Sequence, residues 1–435
     1  MEGQGGEIRS SDEEGHGGHA SSKDSIFRIP GLFKMRNEQV YTPYKFSIGP
    51  WHFCKTQGLR AGQKLKQSDF ERLINRFSDP AAKKRELEES IKNECDKARE
   101  CYAYDGGENM AGAKEEFENI LLVDGCFIIE LLRRRDHPFR LRGHNYQFIY
   151  HDLLLLDNQI PWFVLELLFN KTNDYPYCPT QSLVELAIEF FGPVIPPYPT
   201  RERARARAPE RARELELELE LERERACERE RPIPNILHLV DFVRYLLVGS
   251  REENTIDIFE WGYRLSIPSA TRLEEAGIKF QKIESKDPLA VTFDKGVFKI
   301  PWLRIDPLTE TIFRNLIIYE QCSDFAPRVT WYGVLLDCLV NTSDDVDLLS
   351  REEIFDNRIS SEETANFFNR VCDNAVMTGF CYAQLCQDVN DYCKRIWPTW
   401  RASLIRNYFT KPWAIVSVVF ATIVLHFTIM QVFYK

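Results

Sequence analysis

Along most of this chain apolar residues recur at intervals of three and four, the period of one face of an α-helix. Ser68 and Glu71 have the spacing of a capping box, and Phe70, Leu73, Ile74 and Phe77 follow, so a helix is predicted to begin there. Leu87, Ile91, Cys95, Ala98 and Tyr102 form a narrow stripe on an otherwise charged segment, which predicts a helix packed on one side and solvated on the other. Phe117 to Leu132 is apolar nearly all round, interrupted by Asp124 and Glu130, and predicts a helix buried on most faces. Leu153 to Phe169 reads similarly, but Asp157-Asn158-Gln159 precedes Ile160-Pro161, where the proline must kink the helix or start a new one. Further helices are predicted over Ile236 to Val248, which contains His238, and over Leu308 to Glu320, Trp331 to Val340 and Ala365 to Tyr392.

Extended structure is expected at Ile26 to Pro30 and Tyr41 to His52. Ser269 to Gly277 reads as a short helix ended by glycine, leading into β signals at Ile278 to Ile283 and Ala290 to Ile305. Within the latter, Asp294-Lys295-Gly296 separates two apolar runs as a hairpin turn would. The predicted fold class is therefore mainly α: one large helical domain, a small antiparallel β-hairpin element and one C-terminal transmembrane helix.

That last element rests on Trp413 to Phe433, which lacks Lys, Arg, Asp and Glu. As a helix it would be about 30 Å long, the thickness of a bilayer's hydrocarbon core, with Trp413, Phe420, Leu425 and Phe433 in the span. Lys394, Arg395, Arg401, Arg406 and Lys411 precede it and only Lys435 follows, a bias that places the main domain in the cytosol. The expectation is a tail-anchored, single-pass protein of the plasma membrane or an endomembrane, with the lipid bilayer as one partner. The division expected is a disordered polar tail at 1–25, a helical domain at 26–410 and an anchor at 411–435. Within the domain, 200–231 is an Arg/Glu-rich low-complexity insert, expected to be a mobile loop.

Composition narrows the chemistry. A 435-residue chain with 44% hydrophobic and 12% aromatic residues can bury a substantial core. A formal charge of -10 argues against nucleic acid as a partner, and in the insert the glutamates nearly cancel the arginines. Twelve cysteines run from Cys54 to Cys393 without a C-x-x-C pair, so free thiols are expected rather than a disulfide framework or a zinc site. Asp344, Asp345 and Asp347 lack the glycine and terminal glutamate of an EF-hand and read as acidic residues opening a helix. No metal or cofactor is expected.

The candidate site is a set of polar residues in apolar company: Asp124, Asp152, Asp157, Asn158 and Gln159. Leaving such a group buried and unbonded costs about 1–3 kcal/mol, so these residues form either a hydrogen-bonded core junction or a pocket. There is no glycine-rich phosphate loop, no G-x-S-x-G and no His-Glu-x-x-His, and no residue is assigned a catalytic role. The leading expectation is a non-enzymatic module that binds another protein in an interaction, regulatory or recognition role. The alternative is a hydrolytic enzyme using carboxylates among Asp124, Asp152 and Asp157 with His151. Convergence of these side chains in an open pocket would favour the enzyme; sealing and hydrogen bonding would favour the module.

Taken in order, these segments resemble the plant family known as "domain of unknown function 247", over Ile26 to Tyr434 outside the Arg/Glu insert. The resemblance is carried by Tyr41-Thr42-Pro43 with Ser47-Ile48-Gly49-Pro50, Asp124-Gly125-Cys126-Phe127, and Asp152-Leu153 with Asp157-Asn158-Gln159-Ile160-Pro161. It continues through Ser269-Ala270-Thr271-Arg272-Leu273 with Ala276-Gly277, Arg314-Asn315-Leu316 with Glu320-Gln321, and Lys411-Pro412-Trp413. Asp157 stands where the family usually has glutamate, Trp51-His52 replaces a tyrosine-histidine pair, and Arg201 to Arg231 has no counterpart. The resemblance implies no established activity and no catalytic residues to carry over. Some grass relatives are implicated in pollen-side self-incompatibility, which implies recognition at a cell surface and leaves the side of the membrane open.

Overall fold

The structure, a computed structural model, describes residues 26–35, 37–102, 114–133, 145–174, 180–195, 236–248, 266–283, 285, 287–377 and 379–394, with 420, 421, 423, 424, 426 and 429. The expected polar tail at 1–25 and the insert at 200–231 lie outside the described residues, as do Trp413, Leu425 and Phe433.

The first half is helical: α1 (Gly31–Lys34), α2 (Gln57–Ile74), α3 (Pro80–Arg99), α4 (Lys114–Arg133), α5 (Asn145–Leu153), α6 (Trp162–Lys171) and α7 (Leu183–Phe191). Helix α2 starts before the predicted capping box, because the Thr56 side chain accepts from the Leu59 N–H and Ser68 and Glu71 fall inside the helix. Asp79 caps α3 and Pro80 supplies its preset φ at the first position, after which Leu87, Ile91, Cys95 and Ala98 are buried as their stripe predicts. Helix α4 is buried from Ile120 to Arg133 without a break and packs against α2, α3, α6 and α7, which explains why it is apolar all round.

The second half comprises α8 (Leu239–Val248), α9 (Ala270–Glu275), β1 (Lys279–Ile283), β2 (Thr292–Asp294), β3 (Val297–Pro301), β4 (Leu303–Ile305) and α10 (Pro307–Cys322). It continues with α11 (Arg328–Leu339), α12 (Ser343–Arg351), β5 (Phe355–Asn357), α13 (Ser361–Val371) and α14 (Ala383–Lys394). Capping boxes at Asp306/Thr309, Thr342/Asp345 and Ser360/Glu363 open α10, α12 and α13, so the acidic run at Asp344 and Asp345 begins a helix as read. The helix predicted over Ala365 to Tyr392 is instead two, with Asn374 at φ 67 in the break. One hydrophobic core runs through both halves, from Ile26 to Val389.

The β structure exceeds the predicted hairpin. Strands β2 and β3 pair antiparallel around Lys295 (φ 48) and Gly296 (φ 82), the two left-handed positions a tight hairpin turn requires. Strand β1 adds to β3 in parallel, Phe280 facing Phe298, and a second parallel pair joins β4 to β5 with Arg304 facing Asp356. Parallel partners are distant in sequence and leave no local turn signal.

The expected C-terminal transmembrane helix is corrected. Among the described residues no helix is long and apolar enough to cross a membrane. Phe420, Ala421, Ile423, Val424, His426 and Ile429 are helical and exposed.

Candidate functional site

The residues singled out in the sequence converge on one stretch of irregular backbone. From Thr42 to His52 the chain crosses the core without regular structure, so its N–H and C=O groups have no ladder or helix to satisfy them. The break between α5 and α6, Leu154 to Pro161, lies alongside it, because Pro161 has no N–H and starts α6 afresh. Side chains take the place of the missing ladder.

Asp152 accepts from three consecutive amides, those of Tyr44 at 2.7 Å, Lys45 at 2.9 Å and Phe46 at 2.8 Å. Asn158 Oδ1 accepts from the Ile48 N–H at 2.7 Å, while its Nδ2 donates to the carbonyls of Phe46 at 3.0 Å and Asp152 at 2.7 Å. From α4, Asp124 accepts from the Gly49 N–H at 2.8 Å and pairs with the Lys66 ammonium of α2, which also donates to the Ser47 carbonyl. Asp157 binds His52 Nε2 at 3.0 Å and Lys34 Nζ at 2.9 Å. Gln159 Nε2 donates to the Leu153 and Leu155 carbonyls at 2.7 and 2.8 Å, and its Oε1 accepts from the Leu239 N–H at 3.1 Å, tying the junction to α8. All five side chains are sealed, none more than 1% exposed.

Their electrostatics follow from that sealing. Burial pushes the Asp152 carboxyl up to about 7, against the pull of the three backbone N–H groups. Burial also raises Asp124, with Lys66 pulling the other way. Burial raises Asp157 too, but His52 and Lys34 outweigh it and hold that carboxyl below its usual range. Each carboxylate is spent on its own donors, and none has the exposed edge at which general acid-base chemistry would meet a substrate. His151, one residue before Asp152, turns to other partners: Nε2 meets the Thr42 carbonyl at 3.2 Å and Nδ1 the Thr311 hydroxyl at 2.9 Å. Because the carbonyl can only accept, Nε2 carries the proton in the neutral ring and Nδ1 accepts from Thr311.

On the far side of His151 a cleft of about 520 Å³ opens. Its walls are α10 and α13, the helices that follow the paired strands β4 and β5, and its rim comes from the Thr42–His52 stretch and α5. Tyr44 and Phe148 stand exposed on the rim with their rings edge-on at 5.4 Å, and Tyr44 lies against the His151 ring at 4.4 Å. Burial raises the Tyr44 hydroxyl, helped by the negative Asp152 and Glu310 nearby. Along α10 the Arg314 Nε donates to Glu310 at 2.8 Å. Apart from His151 and Arg314, which stand among the residues read from the sequence, these cleft residues carry no motif. The available signal is the recurrence of Asp306, Glu310 and Arg314 every fourth residue on a helix otherwise rich in apolar side chains.

Comparison with known proteins places this geometry in context. A family model described as "Plant protein of unknown function" matches residues 26–427. The chain is 28% identical over 445 residues to UPF0481 protein At3g47200 of Arabidopsis thaliana, covering 93% of this chain and 85% of that protein. It is 26% identical over 487 residues to putative UPF0481 protein At3g02645 of the same plant, covering 94% and 89%. No solved structure matches.

Proposed function

The chain belongs to the DUF247 family of plant proteins of unknown function, and from that premise we propose that it is a non-enzymatic module that binds another protein through the cleft between α10, α13 and the Tyr44–Phe148 rim. One observation carries this reading: Asp124, Asp152, Asp157, Asn158 and Gln159 are all sealed and hydrogen-bonded within the fold, and Asp124, Asp152 and Asn158 are consumed in holding the irregular Thr42–His52 backbone. The polar motif is scaffolding, and what it positions is the rim of an open cleft. Exposed aromatic side chains beside a cavity are the kind of anchor on which protein interfaces concentrate their binding energy.

Proximity labelling in plant cells, with the tag on the N-terminus, tests the proposal when the wild type is compared with Phe148→Arg, a change at an exposed rim position. The reading expects a reproducible set of neighbouring proteins that the variant loses. An unchanged set in the variant would remove the cleft from the account. Turnover of esters, phosphomonoesters or peptides by the purified chain, abolished by His151→Gln, would replace the module with an enzyme.

A further inference from the structure

Resting on the interaction reading above, we infer that the cleft receives a basic segment of the partner, one lysine or arginine side chain entering between the carboxylates of the helical walls and the aromatic rim. The lining carries four carboxylates, Asp306, Glu310, Glu363 and Asp373, against two guanidinium groups, Arg314 and Arg370, a balance of two negative charges. His151 adds no charge near neutrality, because its burial holds the ring below its usual pKa.

The hydrogen bonds sharpen that balance. The Arg314 guanidinium is engaged within the fold, by Glu310 at 2.8 Å and by the Arg370 carbonyl at 3.2 Å. Three of the four acids are engaged by one oxygen each. Asp306 caps α10 through Oδ1, Glu363 closes its capping box through Oε2, and Glu310 meets Arg314 and Asn37 through Oε1. Among the described residues Asp306 Oδ2, Glu363 Oε1 and Glu310 Oε2 accept no hydrogen bond. Three oxygens from two helices are thus left open to a donor on a guest.

The rim fits the same guest. Tyr44 and Phe148 are 47% and 39% exposed, and aromatic faces attract a cation by about 0.5–1 kcal/mol at exposed sites. The long aliphatic stem of lysine or arginine packs on such rings while its head reaches the carboxylates. A cavity of about 520 Å³ lies within the range, roughly 300–1,000 Å³, of sites that enclose a ligand group. An acidic guest would meet the net negative charge instead, and a purely apolar one would strip water from the three free oxygens without replacing it.

A random heptapeptide library displayed on phage, selected on the full chain and counter-screened on Phe148→Arg, tests the inference. The expected result is a consensus centred on lysine or arginine that disappears on the variant. The enriched peptide, labelled with fluorescein, should bind about tenfold more weakly to Glu363→Gln, which keeps a capping-box partner for Ser360 while losing the charge. Melting curves of both variants, matched to the wild type, establish that the fold is intact. An acidic or uncharged consensus that disappears on Phe148→Arg would overturn the basic guest while leaving the cleft as the binding face. A consensus that survives on the variant, or no enrichment, would overturn both the guest and its place.

Discussion

Asn158 hydrogen-bonds the backbone on both sides of Ser47, its Oδ1 accepting from the Ile48 N–H at 2.7 Å and its Nδ2 donating to the Phe46 carbonyl at 3.0 Å. One amide side chain thereby does for Phe46 to Ile48 what a neighbouring β-strand would do. Asp152 and Asp124 extend the substitution on either side, to Tyr44 and to Gly49. Asp124, Asp152 and Asn158 are thus accounted for by the backbone donors and acceptors they satisfy.

Asn158→Asp keeps the acceptor and the shape but turns the donor into an oxygen facing the carbonyls of Phe46 and Asp152. Two buried carbonyls lose their donor at about 1–3 kcal/mol each, so urea denaturation should show a loss of at least about 2 kcal/mol. A loss under about 1 kcal/mol would mean that another donor reaches this point.

Lys66 and Asp124 form an ion pair in which neither side chain is exposed. Lys66→Met alone leaves a buried carboxylate and should cost roughly 3–5 kcal/mol, whereas adding Asp124→Asn should recover at least half of the loss. Additive effects in the double-mutant cycle, read from thermal melts, would show the two groups to be independent.

Gly49 sits at φ +73, and a Cβ there would lie 2.3 Å from the Gln159 carbonyl oxygen. Gly49→Ala should therefore lower stability by at least about 2 kcal/mol, since both the backbone region and the space exclude a side chain. Gly31→Ala, where a Cβ meets nothing within 4 Å, serves as the control and should be neutral or slightly stabilising.

His151 and Asp152 give the stability opposite dependences on pH. The His151 pKa is lowered from 6.5 by burial, so its contribution is complete above that value and lost progressively as pH falls below it. The Asp152 carboxyl is raised from 3.8 to about 7, so its contribution is present at the acid end of that window and lost as pH rises through it. His151→Gln removes only the first. The Tm of the variant should therefore gain on the wild type between about pH 7.5 and about pH 5.5, and parallel curves would show that the ring does not titrate in this window.

How far this could be read from sequence depends on where the signal lies. The stripe Leu87, Ile91, Cys95, Ala98 is visible because helical burial is periodic along a single segment. Asp124, Asp152, Asp157, Asn158 and Gln159 stand out because polar groups in apolar runs require partners, but the partners themselves are backbone amides that sequence cannot point to. The pairing of β1 with β3 and of β4 with β5 joins segments through space with no turn between the partners. The cleft is hidden for the same reason, since Tyr44, Phe148, Glu310 and Glu363 come from four separate segments. The apolar stretch after Trp413 misleads in the other direction: its composition suits lipid, yet no described helix is long and apolar enough to cross a membrane.

Amide hydrogen exchange at Tyr44, Lys45, Phe46, Ile48 and Gly49 tests the scaffold role most directly, because these residues belong to no helix or strand. If the sealed side chains hold this stretch, its amides will exchange as slowly as those of α4, opening only with the whole domain. Exchange at the rate of an unprotected loop would place Asp124, Asp152 and Asn158 within reach of water and contradict the account.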